Sequence, residues 1–203
     1  MNLNFLEELN IRGHLTVSKL YPDNREEVVF DDHNIIVSGM GVALAHMFAL
    51  SGSTSILDYQ VDRFQIGVSG TTGLEVSTTN QLAGPLSSTY EYAGVAGEVL
   101  TASANQIRNN TVIGQTYVYG LIPQQNITRV DENTVRYTIF LDQESCNNLT
   151  RDAQNANLNE IGLFVKNIKG SAPDAPILVA YRYFSNVRKT SDFALVFRWS
   201  LSF

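Results

Sequence analysis

Cysteine is almost missing from this 203-residue chain. With Cys146 alone, no internal disulfide can form. The fold must rest on packing, as expected of a protein assembled in a reducing cytosol. Cys146 lies in the polar run Gln143 to Asn148 with no sequence-local base, which reads as an incidental thiol. Charge is also scarce, at 17% of residues, and acidic side chains outnumber basic ones by 20 to 14. The net charge of −6 argues against a nucleic-acid partner, which needs a basic face to neutralise phosphates. No apolar run approaches the ~20 residues of a membrane span. Met1 to Asn10 carries Glu7 and Glu8, has no basic residue and lacks the apolar block of a signal peptide. Without such a signal, the sequons at Asn109, Asn126 and Asn148 read as chance products of an Asn- and Thr-rich chain.

What the chain does have is aromatic residues in alternating patterns. Ten Phe and nine Tyr suit sheet packing better than a helical bundle. From Ser191 to the last residue, Phe193, Leu195, Phe197, Trp199, Leu201 and Phe203 fall on every second position. That period puts one large apolar face on a strand and leaves Ala194, Val196, Arg198, Ser200 and Ser202 on the other. Such a strand must be paired and covered, or it is an aggregation-prone edge.

Further strands are expected at Ile11 to Leu20 and Glu26 to Phe30, joined by the turn Tyr21-Pro22-Asp23-Asn24. The polar residues Asp31 to Asn34 should end the second of these. Strands are also expected at Phe64 to Val68, Thr111 to Tyr119, Asn159 to Lys166 and Ile177 to Phe184. Asn126 to Val130 and Asn133 to Leu141 should form a hairpin. Ser38 to Leu50 is the clearest helix. Ser38 is placed to cap it, and Val42, Ala45, Ala49, Leu44 and Phe48 are spaced for packing on a sheet. From Ser69 to Asn110 the chain is rich in Ser, Thr, Gly and Asn, with short strands expected near Ser88 to Tyr92 and Val95 to Leu100. A stretch this long often carries an interface. No repeat and no linker divides the chain. The expectation is a mainly β, sandwich-like antiparallel domain over residues 1–203, with one packed helix at about residues 38–50 and an irregular middle at about 69–110.

Candidate chemistry is thin. Ile35 to Leu44 contains a strand, Gly39-Met40-Gly41 and a helix, which resembles the start of a dinucleotide site. Leu44 occupies the place of the third glycine, and repeated βαβ units are lacking. A glycine-bearing strand-to-helix turn accounts for it. His33 with Asp31 and Asp32 has the residue types of a metal or acid–base site, but a solvated turn explains them better. Glu160, flanked by apolar residues, is expected to be a cross-strand or rim partner of Arg182 or Arg198. Asp58, Asp62, Glu91 and Glu98 offer carboxylates, but no spacing selects a glycosidase pair. No nucleophile elbow, phosphate loop, zinc pattern or HExxH occurs. Neither catalytic, metal nor cofactor residues are expected.

Four blocks in order carry a resemblance. They are DDHNIIVSGMGVALAHMF at Asp31 to Phe48, FQIGVSGTTGLEVSTTNQLAGPL at Phe64 to Leu86, LNEIGLFV at Leu158 to Val165, and the tail from Tyr181 to Phe203. The set resembles virion proteins of tailed bacteriophages, from the tail, baseplate, collar and fibre-attachment group. The resemblance implies a non-enzymatic β-sandwich-like structural subunit working as a homo-oligomer. Its partners would be copies of itself and neighbouring tail or neck proteins, with no nucleic acid and no membrane. It would be assembled in the host cytoplasm and reside in the virion. The apolar residues of the Ser/Thr-rich middle are the candidate interface: Leu74, Val76, Leu82, Leu86, Tyr90, Tyr92, Val95 and Val99. A carbohydrate- or receptor-binding module of a tail fibre or spike is the alternative, with Tyr90, Tyr92, Tyr117 and Tyr119 available to stack on sugars.

Overall fold

The structure is a computed structural model that describes residues 11–49, 56–68, 70–82, 117–144, 147, 150–151, 154–155, 157–165 and 176–203. Among these residues it is mainly β with one α-helix. The strands are β1 (Arg12–Leu20), β2 (Glu26–Ile36), β3 (Val61–Gly67), β4 (Tyr117–Leu121), β5 (Ile127–Arg129), β6 (Thr134–Leu141), β7 (Thr150–Arg151), β8 (Gln154–Asn155), β9 (Leu158–Val165), β10 (Ile177–Val187) and β11 (Ala194–Ser202). Helix α1 (Gly39–Phe48) follows β2. Nine strands form one curled antiparallel sheet in the order β4-β3-β9-β10-β2-β1-β11-β6-β5, while β7 and β8 pair separately.

The curl comes from β2, which serves both halves. Its residues Glu26 to Asn34 pair with β1, and Ile35 and Ile36 pair with β10. A register shift between Val17 and Ser18 bends the β1–β2 pair. The β1–β2 turn has the expected chemistry: Tyr21 N–H donates to the Arg25 carbonyl, and Asn24 takes a positive φ of 64°. The strand runs past its expected end at Phe30, however. Asp31, Asp32, His33 and Asn34 pair with Thr16, Leu15, His14 and Gly13. A complete hydrogen-bond ladder with β1 outweighs the weak β propensity of these polar residues. The solvated turn expected at Asp31 to His33 is therefore a strand. The β5–β6 hairpin forms around Asp131, whose side chain accepts from Asn133 N–H and lies below the usual carboxylate range for that reason.

Strand β11 lies between β1 and β6. Leu195, Phe197, Trp199 and Leu201 are fully buried in the main core, with Leu15 and Val17 of β1 and Tyr137, Ile139 and Leu141 of β6. Across that core stand Phe64, Ile66, Ile161, Leu163, Val179 and Phe184 of the other half. Phe184 meets Phe197 edge-on at 5.8 Å between ring centroids. Burial of each large side chain contributes roughly 1.5–3 kcal/mol. All eight residues of β9 are buried, because its second face is covered too. Val37, Leu82, Phe164, Leu178 and Tyr181 form that second, smaller core, with Leu74 against it.

One polar contact pins the curl. Trp199 Nε1–H donates to Asn34 Oδ1 at 2.8 Å. To reach it, the Asn34 side chain lies directly over Gly13, where any Cβ would collide with the amide. Gly13→Ala is therefore expected to destabilise the protein by about 2–4 kcal/mol, through overpacking and loss of the indole's acceptor. Asn34→Ala alone should cost about 1–3 kcal/mol. The double variant should lose about 1 kcal/mol less than the sum, since the collision disappears with the amide. Urea unfolding of the four proteins measures this, and strict additivity would refute the arrangement.

Candidate functional site

The most site-like feature among the described residues is an apolar pocket of about 280 Å³, roofed by α1. Its helix wall is Met40, Ala43, Leu44 and Met47, which recur at i, i+3, i+4 and i+7. The sheet supplies Val61 of β3, Val165 of β9, Ile127 of β5, and Val135 and Tyr137 of β6. Tyr59, from the short 3-10 turn Ile56–Tyr59, and the last residue, Phe203, complete the apolar lining. Gln60 and Gln124 supply its polar atoms. The pocket thus lies between the two halves of the curled sheet.

The placement of α1 follows from its first glycine. A Cβ on Gly39 would collide with the Leu178 carbonyl of β10. The Gly-containing turn that resembles a dinucleotide motif therefore has a packing reason. Ser38 stands at the N-cap with helical dihedrals, and its side chain makes no capping bond; its N–H donates to Ser77 O at 2.7 Å instead. The buried stripe also differs from the expected one. Met40 and Ala43 are buried, whereas Val42, Ala45, Phe48 and Ala49 are exposed. Every position of this helix except His46 is Gly or apolar, so composition alone could not orient it. His46 stacks on Tyr59 with centroids 5.0 Å apart.

Other titratable groups are used as struts. Glu160 is fully buried and accepts from Tyr181 Oη–H at 3.1 Å. It is paired with neither expected arginine. Arg182 bonds Asp32 at 2.6 Å and Glu75 at 2.9 Å and lies over the Phe30 ring. Arg198 bonds Glu26 and holds that carboxyl below its usual range. The register places Tyr183, not an arginine, opposite Glu160. Asp62 is held by Arg63 at 2.7 Å and 3.0 Å. His14, His33 and Asp31 meet on an outer face, with His14 Nε2 at 3.5 Å from Asp31. Among the described residues, no group of three or more His, Cys, Asp or Glu could hold a metal ion. No helix among them is long and apolar enough to cross a membrane.

Of the candidate interface residues, Leu82 is buried in the second core, Leu74 packs partly against it and Val76 is exposed. Leu86, Tyr90, Tyr92, Val95 and Val99 lie outside the described residues, as do Cys146, Glu91 and Glu98 and the strands expected near Ser88 to Tyr92 and Val95 to Leu100. Tyr117 and Tyr119 stand on β4. The pocket itself was missed in the sequence, although the Met40, Ala43, Leu44, Met47 spacing carries its helix wall.

Burial pushes the Tyr137 hydroxyl up to about 12 from its ordinary value. An acid whose folded-state pKa is raised contributes stability that is complete below its unfolded pKa of ~10 and lost as pH rises through the folded value. Between about pH 10 and 12 the wild type should therefore lose on the order of 3 kcal/mol more than Tyr137→Phe. Denaturant titrations at pH 8, 10 and 11.5 on both proteins measure it. Parallel pH profiles would show that the hydroxyl is solvated.

Compared with known proteins, the chain matches no family model, no curated protein and no solved structure.

Proposed function

We propose that this protein is a structural subunit of a tailed-bacteriophage particle, in its tail, baseplate or collar, and that it works by assembling with copies of itself and with neighbouring virion proteins. The observation that carries the assembly reading is the outer face of α1. Phe48 is 89% exposed and Val42 47% exposed, with Ala45 and Ala49 beside them and no charged residue on the helix. A helix that is apolar all round belongs in an interior. Presented to solvent, such a face marks a protein contact.

The phage assignment is supported by the four sequence blocks. They supply β2, α1, β3, β9, β10 and β11, and four of these are consecutive in the sheet as β3-β9-β10-β2. Blocks far apart in sequence thus belong to one packed unit around α1, as a shared structural module requires. Exposed Val76, on the covering segment between β3 and β4, remains available to such contacts. Repetition of a modest apolar patch in a ring or fibre joint suffices for stable assembly, because each further contact forms at high effective concentration.

Mass photometry and sedimentation should show concentration-dependent oligomers of the wild type. The double variant Val42→Glu/Phe48→Glu, with an unchanged circular dichroism spectrum, should remain monomeric and fail to enter particles in a complementation assay. A wild type that stays monomeric at high concentration, or a variant that assembles normally, would refute this role for the helix face.

A further inference from the structure

We propose that the pocket beneath α1 binds a small neutral aryl carbonyl compound, with the ring held among apolar side chains and the oxygen at the Tyr137 hydroxyl. The first argument is an unused hydrogen-bond donor. Tyr137 lines the pocket and is only 6% exposed. Its hydroxyl takes part in no hydrogen bond among the described residues, and burial alone raises its pKa. A tyrosine hydroxyl at a buried site normally has a partner, because a donor left unpaired away from water is costly. The open space that Tyr137 borders is the pocket, so the missing partner is an acceptor that enters it.

The second argument is shape and size. Met40, Ala43, Tyr59 and Val165 of the lining are buried, whereas Gln60, Gln124 and Phe203 are exposed. The pocket therefore runs from a buried apolar end to a partly polar rim in solvent. Its volume of about 280 Å³ lies just below the ~300–1,000 Å³ of most small-molecule sites. It is well above the ~150 Å³ of a dry apolar cavity that takes up benzene. One ring with a short substituent suits that range.

The third argument is the chemistry of the lining. No lining side chain is charged, so an ionised ligand would lose its hydration without meeting a counter-charge. That leaves neutral molecules. Met40 and Met47 offer thioethers, which make favourable contacts with aromatic rings and adapt to their outline. Tyr59, Tyr137 and Phe203 offer ring edges and faces. A carbonyl oxygen accepts from the Tyr137 hydroxyl and, unlike an alcohol or an amine, brings no donor of its own to satisfy.

Acetophenone, ethylbenzene and benzoate are the probes that test the proposal, read by methyl NMR of the full chain labelled at methionine. Acetophenone should shift the Met40 and Met47 signals saturably, with Met47→Leu identifying one of the two. Benzoate at about pH 7 should bind at least ~10-fold more weakly than acetophenone. Tyr137→Phe should weaken acetophenone about 2- to 10-fold, the worth of one hydrogen bond. The same variant should bind ethylbenzene as the wild type does, which also shows that it keeps the pocket. Val42→Glu/Phe48→Glu, altered only on the outer face of α1, should bind acetophenone with wild-type affinity, so this site and the assembly role stand or fall separately. Acetophenone that moves neither methyl signal, benzoate that binds as tightly, or an equal change for both neutral probes in Tyr137→Phe would overturn the proposal. Methyl shifts that grow with the concentration of Val42→Glu/Phe48→Glu protein alone would overturn it in favour of a second copy of the chain as occupant.

Discussion

Strand β2 has to belong to two half-sheets at once, and most of the fold follows from how it does so. It gives Glu26 to Asn34 to β1 and only Ile35 and Ile36 to β10, so the half-sheets are joined over a short stretch where the sheet can bend. The bend folds one continuous nine-stranded sheet over a shared core, so that Phe184 of β10 reaches Phe197 of β11. It also sets where polar groups are needed. At the far end of the β1 pairing, Asn34 crosses over Gly13 to satisfy the Trp199 indole. At the bend, Arg182 ties Asp32 of β2 to Glu75 of the covering segment. Asp32, one of the residues that resemble a catalytic cluster in sequence, is a fastening of this bend.

The strands were legible where large apolar residues alternate with small or polar ones. The alternation in Val135 to Leu141 and in Phe193 to Leu201 marks the core face of each strand, and both bury that face, although Ala194 and Val196 on the other face of β11 are buried too. Legibility failed where tertiary pairing overrides local preference. Asp31 to Asn34 read as turn formers in isolation, and only the facing β1 ladder makes them a strand. Glu160 failed for a related reason. Its partner is set by register, and a register shift in the β9–β10 pair between Tyr183 and Val187 is invisible in sequence. Tyr181, two residues from the register partner, turned out to be the side chain that meets it.

Helix α1 shows a different limit. A hydrophobic stripe orients a helix only when the opposite side is polar. Here the choice between Met40-Ala43-Leu44-Met47 and Val42-Ala45-Phe48-Ala49 is made by something outside the helix. Gly39 lets the backbone touch Leu178, and that contact, with the stacking of His46 on Tyr59, fixes the rotation. The pocket was hidden in the sequence because its walls come from β3, β5, β6, β9, α1 and the final residue.

The same rotation gives the helix two different faces. Its inner stripe closes the gap between the half-sheets, while its outer face is exposed. Both faces are apolar, so covering either one desolvates no charge, which would be costly. Polar and charged groups are instead concentrated at the bend of β2 and on the outward faces of β1, β6 and β11, where Arg136, Arg198 and His14 stand. Phe48, Phe140 and Phe203 are among the large apolar side chains that this separation leaves uncovered. Phe48 is too exposed for its own helix to shelter, and it is the side chain on which the proposed assembly role of this face chiefly rests.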